Sequence, residues 1–421
     1  MSLNFNLSKE IEPGHDFYRY VNDDWMKKNK IPPDFQRWSV FNQLNEDNRD
    51  KVKDLLDSLS YSDNNELNSL KILYDQGLND LENINSISPG EQAKKYIDYY
   101  LNCKTKEELL DIIFKVQVLH GFNTPFSFSV YSDLVNSSKK ILHIFTRGLG
   151  LPDRDYYFQD DKEEIRKKYK QFMISYCKLF NLSYFNTEQI YNFEKLIAEV
   201  TMTKVEKRNP ENLNHPTNYK EVSTKYKSIP TEKLFDYFID QGYDIKPGKI
   251  NISNPKLLSK YEEIWNKCSL DCLKQYYVWI FINSISSFVN EIASEEKFKF
   301  YGRILTGTPE QLPRWKRIIG NCDKHLGEVV GKLFVNKHFP ESSKNKVENM
   351  VKYIKDELAS RLKNNDWMRK KTKEKALEKL EKMRVKIGYS DNPDDYSKLV
   401  LSLKNSYLDN NLKCFKFNEN L

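Results

Sequence analysis

The sequence predicts a mainly α-helical protein with one small β-hairpin near residues 124–147. Apolar residues recur every three or four positions over most of the 421 residues, which is the spacing of an amphipathic helix. Only the stretch near residues 124–147 alternates apolar and small polar residues, as a half-buried strand does. No fixed repeat and no Pro/Gly/Ser-rich linker divides the chain. We therefore expect one dominant helical body, with or without two lobes, and an irregular N-terminal arm.

The first strong helical pattern runs from Leu44 to Leu59, with leucine and valine on one side and Asp, Asn and Lys on the other. Similar patterns predict helices at about 92–118, 161–180, 187–206, 231–241 and 257–299. Residues 329–384 then predict two long helices, and Pro340 marks the break between them because proline interrupts helical hydrogen bonding.

The stretch "NDWMRKKTKEKALEKLEKMRVKIGY" (residues 365–389) predicts one continuous helix. Gly388 is placed as its C-terminal stop, because glycine readily adopts the left-handed conformation that ends helices. The apolar residues of this stretch recur at steps of three and four: Leu377, Leu380, Met383 and Ile387.

The predicted hairpin consists of two strand-like segments separated by turn residues. In "PFSFSVYSD", Phe126, Phe128 and Val130 alternate with serine, and "KKILHIFTR" is an apolar run of strand length. The intervening "LVNSSKK" supplies the polar residues of a turn.

The charge pattern argues against a nucleic-acid partner. The net charge of +7 is small for this length, and lysine alternates with glutamate, as in "EKALEKLEKMR". Nucleic-acid binders usually concentrate basic residues on one face. The interleaved pattern indicates solvated helix surfaces instead.

The sequence also predicts a soluble chain. The N-terminus has no basic segment followed by an apolar run, and the most apolar stretch, Tyr276–Phe288, is too short and too polar to span a bilayer. Six scattered cysteines in a chain of this size do not form a disulfide scaffold. We expect a cytoplasmic location, or one that the sequence does not identify, and no membrane span.

The common catalytic motifs are missing. No phosphate-binding loop, G-x-S-x-G or G-x-G-x-x-G occurs, and no two of the six histidines are four residues apart, so H-E-x-x-H is absent. His143 lies in a predicted strand and is expected to be a packed histidine. His15 lies in a polar loop without an evident partner.

One set of residues has the types and spacings of a zinc site: Cys268, Cys272, Cys322 and His325. We favour a structural interpretation. Cys268 and Cys272 fall on one face of a predicted apolar helix together with Tyr276 and Trp279, which is typical of small core residues. The sequence therefore predicts no metal ligand in this chain.

Four stretches occur in the order of one known family. Residues 13–48 contain D-F-Y, N-x-x-W, I-P and R-W-x-x-F; residues 148–158 contain L-P-D-R-D-Y-Y; "RWKRIIGNCDKHLGEVVGKLFV" begins at Arg314; and residues 365–389 match W-M-x-x-x-T-K…I-G-Y. Together they resemble the neprilysin / endothelin-converting enzyme family of zinc metallopeptidases, which includes bacterial oligopeptidases. The resemblance covers nearly the whole chain.

The resemblance implies a two-lobed, mostly helical peptidase in which a helical lobe covers a catalytic lobe. Family members take their zinc ligands and general base from H-E-x-x-H and a downstream E-x-x-x-D, and bind the substrate backbone through N-A-[YF]. H-E-x-x-H and N-A-[YF] do not occur here, so the downstream acidic motif has no counterpart. The implied organisation is a tail (1–12), the helical N-terminal region (13–400) and a segment leading towards a missing catalytic domain (401–421).

Two positions carry a substrate-binding role by resemblance. Arg37 matches the family arginine that contacts the C-terminal carboxylate of the substrate, and Phe41 matches an aromatic residue of a side-chain pocket. We expect this chain to be inactive alone, with no catalytic residue and no zinc of its own. A peptide substrate and a separate C-terminal catalytic polypeptide are the implied partners. The alternatives are a catalytically dead peptide- or protein-binding helical module and a decaying gene product.

Overall fold

The computed structural model describes residues 6–79, 85–122, 124–241 and 248–419. The chain forms two compact units. Unit 1 comprises Met1–Phe41, Asn79–Pro313 and Lys404–Asn420, and unit 2 comprises Asn42–Leu78, Arg314–Leu403 and Leu421. Each unit is therefore assembled from segments that are distant in sequence.

Helices dominate the described residues, as predicted. In chain order they are α1 (Phe17–Lys28), α2 (Val40–Asp57), α3 (Asn65–Asn79), α4 (Pro89–Leu101), α5 (Lys106–Val116), α6 (Asp155–Phe158), α7 (Glu163–Leu179), α8 (Thr187–Val200), α9 (Tyr219–Lys225), α10 (Thr231–Asp240), α11 (Pro255–Lys267), α12 (Leu270–Val289), α13 (Glu291–Phe298), α14 (Arg314–His338), α15 (Glu341–Asn364), α16 (Lys370–Glu381) and α17 (Tyr407–Asn418). A π-helical turn, Lys299–Ile304, follows α13.

The core of unit 1 is centred on α12, in which Tyr276, Trp279 and Phe281 are almost completely buried. The second half of this helix carries no charged residue, so it can be covered on all sides. Leu408 and Leu412 of α17 belong to the same core. The segment that we expected to lead out of the helical region therefore packs as part of unit 1.

Unit 2 is built around α3 and α14. Leu70 and Leu73 of α3 are fully buried, and Arg314, the first residue of α14, donates from its Nε atom to the Gly77 carbonyl at 2.6 Å. The chain after α16 returns to α3, where Ser69 Oγ donates to the Leu399 carbonyl at 2.7 Å. These contacts tie the two segments of unit 2 together.

The predicted hairpin is confirmed, but it belongs to a larger sheet. Strands β1 (Phe126–Ser132) and β2 (Lys140–Thr146) are antiparallel, while β4 (Lys249–Ile252) pairs parallel to β2 and β3 (Pro216–Asn218) pairs antiparallel to β4. The strand order is β1-β2-β4-β3. The sequence analysis missed β3 and β4 because strands of three and four residues are too short to show alternation.

Two of the predicted long helices are interrupted by capping residues. The 92–118 pattern divides at Thr105, whose Oγ1 accepts from the Glu108 N–H at 3.1 Å and begins α5. The 257–299 pattern divides at Ser269, which caps α12, and again at Asn290, which caps α13. Cys268 and Cys272 are therefore on opposite sides of a helix break, and the expectation that they share one helix is wrong.

The prediction of a break at Pro340 is confirmed, since α14 ends at His338 and α15 begins at Glu341. The prediction of one helix over residues 365–389 is wrong. The Asn365 side chain accepts the N–H groups of Trp367 and Met368, both at 3.1 Å, and α16 begins only at Lys370. Side-chain bonding of this kind favours a turn over a helix.

The same helix also ends earlier than predicted, at Glu381. Met383 lies beyond it, and its carbonyl accepts from Lys355 Nζ of α15 at 3.2 Å. Gly388 has φ +71° in a turn where a Cβ atom would lie 2.6 Å from the Phe339 ring. Glycine is therefore needed for a close contact with Phe339 and does not act as the stop signal of the helix.

Candidate functional site

Arg37 lies on the segment that joins α1 to α2, and Phe41 is the second residue of α2; both belong to unit 1. The Gln36 side chain donates to Thr308 Oγ1 at 3.0 Å, and the Glu310 N–H donates to the Pro33 carbonyl at 3.1 Å. These two hydrogen bonds connect the segment directly before Arg37 to one loop, through the Gln36 side chain and the Pro33 carbonyl.

The loop that holds this segment follows the π-helical turn. The Thr308 N–H donates to the Gly302 carbonyl at 3.2 Å, and Arg303 Nε donates to the Pro309 carbonyl at 3.0 Å. At Gly302 a Cβ atom would lie 2.2 Å from the Phe298 ring. Glycine at position 302 thus allows the close approach of Phe298, and the loop after the π turn places Thr308 within hydrogen-bond distance of Gln36.

The structure leaves both predicted substrate-binding side chains accessible. Phe41 is 80% exposed although it is a large apolar residue, and Arg37 is exposed. Within the described ranges Arg37 makes no hydrogen bond or ion pair, so its guanidinium group is available to a carboxylate. The substrate-binding role of Arg37 and Phe41 remains a prediction.

The L-P-D-R-D-Y-Y motif forms a turn whose residues bond to one another and to α8. Asp153 accepts the Asp155 N–H at 2.9 Å, and the Tyr157 hydroxyl receives the Leu151 N–H at 3.2 Å. Arg154 reaches out of the turn, and its Nε donates to the Ala198 carbonyl at 3.4 Å. The motif therefore has a structural explanation in this chain.

The motif surrounds a buried carboxylate, Glu194 of α8, which is 1% exposed. Tyr157 Oη donates to it at 2.8 Å, Tyr169 Oη lies 3.0 Å from both of its oxygens, and Trp279 Nε1 donates at 3.1 Å. Burial raises the pKa of Glu194 to about 7, while these donors act in the opposite direction. The carboxyl group thus titrates near neutral pH.

The sequence analysis missed Glu194, although a signal was present. Glu194 follows Ile190 by four residues and precedes Ile197 by three, so it lies on the apolar face of its helix. A charged residue on such a face is buried with partners or is functional. Here it is satisfied by hydroxyl and indole donors.

A charged cleft of about 440 Å³ lies beside this network, between α7 and α8. It is lined by Arg166, Lys167, Lys170 and Lys195 together with Glu163 and Glu188. Lys167 pairs with Glu163 at 3.0 Å and Lys170 with Glu188 at 2.7 Å. Two of the four cations are paired in this way, so the lining residues keep an excess of two positive charges.

The candidate zinc set does not form one site within either unit. Cys268 and Cys272 belong to unit 1, whereas Cys322 and His325 belong to unit 2. Among the residues that the structure describes, no group of three or more His, Cys, Asp or Glu side chains is arranged to hold a metal ion. Each unit on its own therefore holds only two of the four ligands that a structural zinc site needs.

His143 is packed, as predicted. It is buried between Tyr131 and Phe145, and its Nδ1 atom lies 3.2 Å from the Asn251 amide nitrogen. Burial lowers the pKa of His143.

None of the described helices is both long and apolar enough to cross a membrane.

Comparison with known proteins identifies the family to which these motifs belong. The sequence model of peptidase family M13 matches residues 13–390. This chain belongs to peptidase family M13. The resemblance to the neprilysin / endothelin-converting enzyme family is thereby confirmed.

Curated M13 relatives match along almost the whole chain. Endothelin-converting enzyme 1 of Cavia porcellus is 26% identical over 435 residues, which is 98% of this chain and 57% of the relative. Neprilysin of Mus musculus is 26% identical over 446 residues, covering 99% of this chain and 59% of the relative. The chain thus spans less than two thirds of the length of these relatives.

Two solved structures of bacterial proteins share the fold. The Mycobacterium tuberculosis zinc metalloprotease Zmp1, in complex with an inhibitor, matches with a TM-score of 0.84 at 21% identity, covering 98% of this chain and 63% of that protein. PepO of Lactobacillus rhamnosis matches with a TM-score of 0.83 at 20% identity, covering 97% and 66%. The mainly helical fold class predicted from the sequence is confirmed.

Proposed function

We propose that this chain is the helical, peptide-enclosing part of a zinc metalloendopeptidase whose catalytic residues lie outside these 421 residues. The observation that carries the proposal is the M13 match over residues 13–390, combined with a span of only 57–59% of the curated relatives. On its own the chain is proposed to hydrolyse no peptide.

The chemistry assigned to the complete enzyme follows from the relatives. One is named for the conversion of endothelin, and another is named as a zinc metalloprotease. Zinc in such an enzyme activates a water molecule and polarises the scissile carbonyl. This chain contains no H-E-x-x-H, so its own residues are proposed to bind and orient peptide rather than cleave it.

Arg37 is proposed to bind the C-terminal carboxylate of the peptide, and Phe41 to line a pocket for a side chain. A guanidinium group suits this role because it can donate two parallel hydrogen bonds to a carboxylate. The exposed position of both residues supports the assignment, with Arg37 directly after the anchored Gln36 and Phe41 in the first turn of α2.

Helix α15 of unit 2 supplies a surface onto which the catalytic part is proposed to dock. No residue of this helix is buried. Its apolar stripe, with residues three or four positions apart, consists of Val347, Met350, Ile354 and Leu358, all exposed. Contiguous apolar surface of this kind marks an interaction site. The part of the relatives' length that this chain does not cover is proposed to include the polypeptide that docks on this stripe.

The proposal is tested by comparing the purified chain alone with the chain mixed with the polypeptide that carries H-E-x-x-H in an adjoining reading frame. We expect no stoichiometric zinc and no chelator-sensitive cleavage of quenched peptides by the chain alone, and both in the mixture. Zinc and cleavage with the 421-residue chain alone would overturn the proposal.

The same experiment distinguishes a peptide- or protein-binding module from a part of an enzyme. If no adjoining frame encodes H-E-x-x-H, and the chain alone binds peptides tightly without cleaving them, the binding module is the better description. The apolar stripe on α15 is the observation that favours such a module. If the chain neither accumulates in cells nor binds peptide, the remaining alternative is supported, namely that it is a decaying gene product.

A further inference from the structure

Cys268 and Cys272 lie at the junction between α11 and α12. Cys268 directly follows α11 as its C-cap, and its N–H donates to the Ile264 carbonyl at 2.8 Å. Cys272 is in the first turn of α12, where its N–H donates to Ser269 Oγ at 3.2 Å. Across this break the two thiols are four residues apart in sequence, and each shifts the pKa of the other. The two helix caps therefore bring both cysteines to one junction of the fold.

Cys268 differs from every other cysteine of the chain. All six cysteines are within the described residues, and Cys268 alone is not buried. Burial raises the pKa of Cys177 and of Cys414 to about 12 in each case, so these thiols stay protonated. A thiol that is both accessible and close to a second thiol is a suitable target for oxidants.

The surroundings of Cys268 favour its thiolate form. The neighbouring Cys272 thiol is the main cause that lowers the pKa of Cys268 to about 7, and the nearby Lys106 ammonium acts in the same direction, against partial burial. Lys106 is held there because its Nζ donates to the Trp265 carbonyl at 2.6 Å and the Asn266 carbonyl at 3.2 Å. The neighbouring Cys268 and partial burial are the main causes that raise the pKa of Cys272, and Asp271 adds a smaller effect, so Cys272 stays a thiol.

We propose that Cys268 and Cys272 form a redox-active dithiol, in which Cys268 reacts with a hydroperoxide and Cys272 then closes a disulfide. The Cys268 thiolate attacks one oxygen of the peroxide, the O–O bond breaks, and the leaving oxygen takes a proton to give an alcohol or water. Cys268 becomes a sulfenic acid, and two electrons have passed from sulfur to oxygen.

The second step needs no further oxidant. The Cys272 sulfur attacks the Cys268 sulfenic sulfur, the S–O bond breaks, and hydroxide leaves with the Cys272 proton as water. A low-molecular-weight dithiol reverses the reaction by two thiol–disulfide exchanges. The disulfide joins the end of α11 to the first turn of α12, the helix at the centre of unit 1.

The positions of two lysines allow the proposed disulfide to be measured directly. Trypsin cleaves after Lys267 and Lys274, which releases both cysteines in the single peptide 268–274. The folded chain is treated with equimolar hydrogen peroxide, alkylated under denaturing conditions and digested. We expect this peptide to lose the mass of two hydrogens and to resist alkylation, while the other four cysteines are alkylated. Reduction before alkylation restores two alkylated thiols.

Two variants separate the steps, and one serves as a control. Cys272→Ala should stop at the sulfenic acid, which dimedone then captures on Cys268, and Cys268→Ser should abolish oxidation of the peptide. Cys103→Ser should leave the disulfide unchanged, because Cys103 is buried and bonded to the Tyr99 carbonyl.

The proposal is overturned if peptide 268–274 of the wild-type chain keeps two alkylatable thiols, or if Cys268 proceeds to the sulfinic acid as fast as in Cys272→Ala. A disulfide from Cys268 to another cysteine would overturn it as well. The wild-type measurement decides the matter even if a variant fails to fold.

Discussion

The hydroxyl group of Tyr169 lies 3.0 Å from both carboxylate oxygens of Glu194, inside the core of unit 1. Tyr157 and Trp279 complete the set of side-chain donors. A buried carboxylate is tolerated only when its oxygens are hydrogen-bonded. The motif turn, α7, α8 and α12 are therefore coupled through one acidic side chain.

Glu194 makes the stability of unit 1 depend on pH. Its folded pKa of about 7 lies above the ordinary value of 4.5, so the folded state binds more protons between these values. Its contribution is greatest below pH 4.5 and is lost as the pH rises through 7, a change of about 3 kcal/mol. We expect Glu194→Gln to remove this dependence, as measured by urea unfolding at pH 5 and pH 8.

The comparison must be made between wild type and variant at each pH. Burial lowers the pKa of His120 to about 4. Its effect on the free energy of unfolding is therefore opposite to that of Glu194, because the folded state loses stability as the pH falls below 6.5. Glu188→Gln on the same helix is the matched control, because Glu188 is exposed and pairs with Lys170. Equal pH profiles for wild type and Glu194→Gln would contradict the prediction.

Gly150 is needed because the motif turn passes directly over the Glu194 network. A Cβ atom at this position would lie 1.8 Å from Tyr169 Oη and 2.9 Å from Glu194 Oε1. We expect Gly150→Ala to lower the free energy of unfolding by about 2–4 kcal/mol, since it displaces buried hydrogen-bonded groups. Thermal or urea unfolding gives the value.

Gly14 provides the control for the same substitution in unit 1. A Cβ atom there would meet nothing within 4 Å. Gly14→Ala should therefore change stability by less than about 0.5 kcal/mol. The steric explanation fails if the two alanine variants have similar stability.

Arg37 is expected to distinguish peptides by their C-terminal group. In the assembled enzyme, Arg37→Ala should weaken binding of a peptide with a free carboxylate by roughly 10- to 100-fold, the loss of a charge-assisted bidentate contact. Binding of the same peptide with an amidated C-terminus should hardly change. Titration calorimetry or competition kinetics measures both.

Arg208→Ala is the matched control, because Arg208 is an exposed arginine of the same unit. It should affect neither peptide. If Arg37→Ala weakens the amidated peptide as much as the free acid, the arginine does not bind the carboxylate and its effect is indirect.

The apolar stripe on α15 should control association of the chain. Ile354 is 64% exposed in the centre of the stripe, and Ile354→Glu places a charge where the catalytic part is proposed to dock. We expect the variant to lose complex formation and to self-associate less than wild type in light-scattering measurements, with unchanged helix content.

Asn349→Glu adds the same charge on the side of α15 opposite the stripe, where Asn349 is exposed. This variant should leave association unchanged. If both variants lose the complex equally, the net charge of the helix is responsible, and the stripe is not the docking surface.

Sequence reasoning located elements that depend on local pattern and missed those that depend on tertiary contacts. The hairpin of β1 and β2 was predictable because its strands are adjacent in sequence and alternate in polarity. The pairing of Leu142 with Ile250 joins strands more than a hundred residues apart, which no local signal reveals.

The stretch 365–389 shows the same limit within a helix. Its residues have good helical spacing, yet α16 ends at Glu381, and the Met383 carbonyl beyond it accepts a hydrogen bond from Lys355 of α15. Tertiary contacts routinely override a propensity of a few tenths of a kcal/mol per residue. For the site, resemblance selected Arg37 and Phe41, and the exposure of a large apolar Phe41 became apparent only in the structure.

The segmented construction of unit 1 constrains the order in which the chain can fold during synthesis. Unit 1 combines Met1–Phe41 and Asn79–Pro313 with the late segment Lys404–Asn420. Leu408 and Leu412 of α17, in that late segment, belong to its core. The ribosome produces all of Asn42–Leu78 and Arg314–Leu403 before α17 appears. Until then, the part of the α12 core that α17 covers stays open, and the nascent chain presents apolar surface to chaperones.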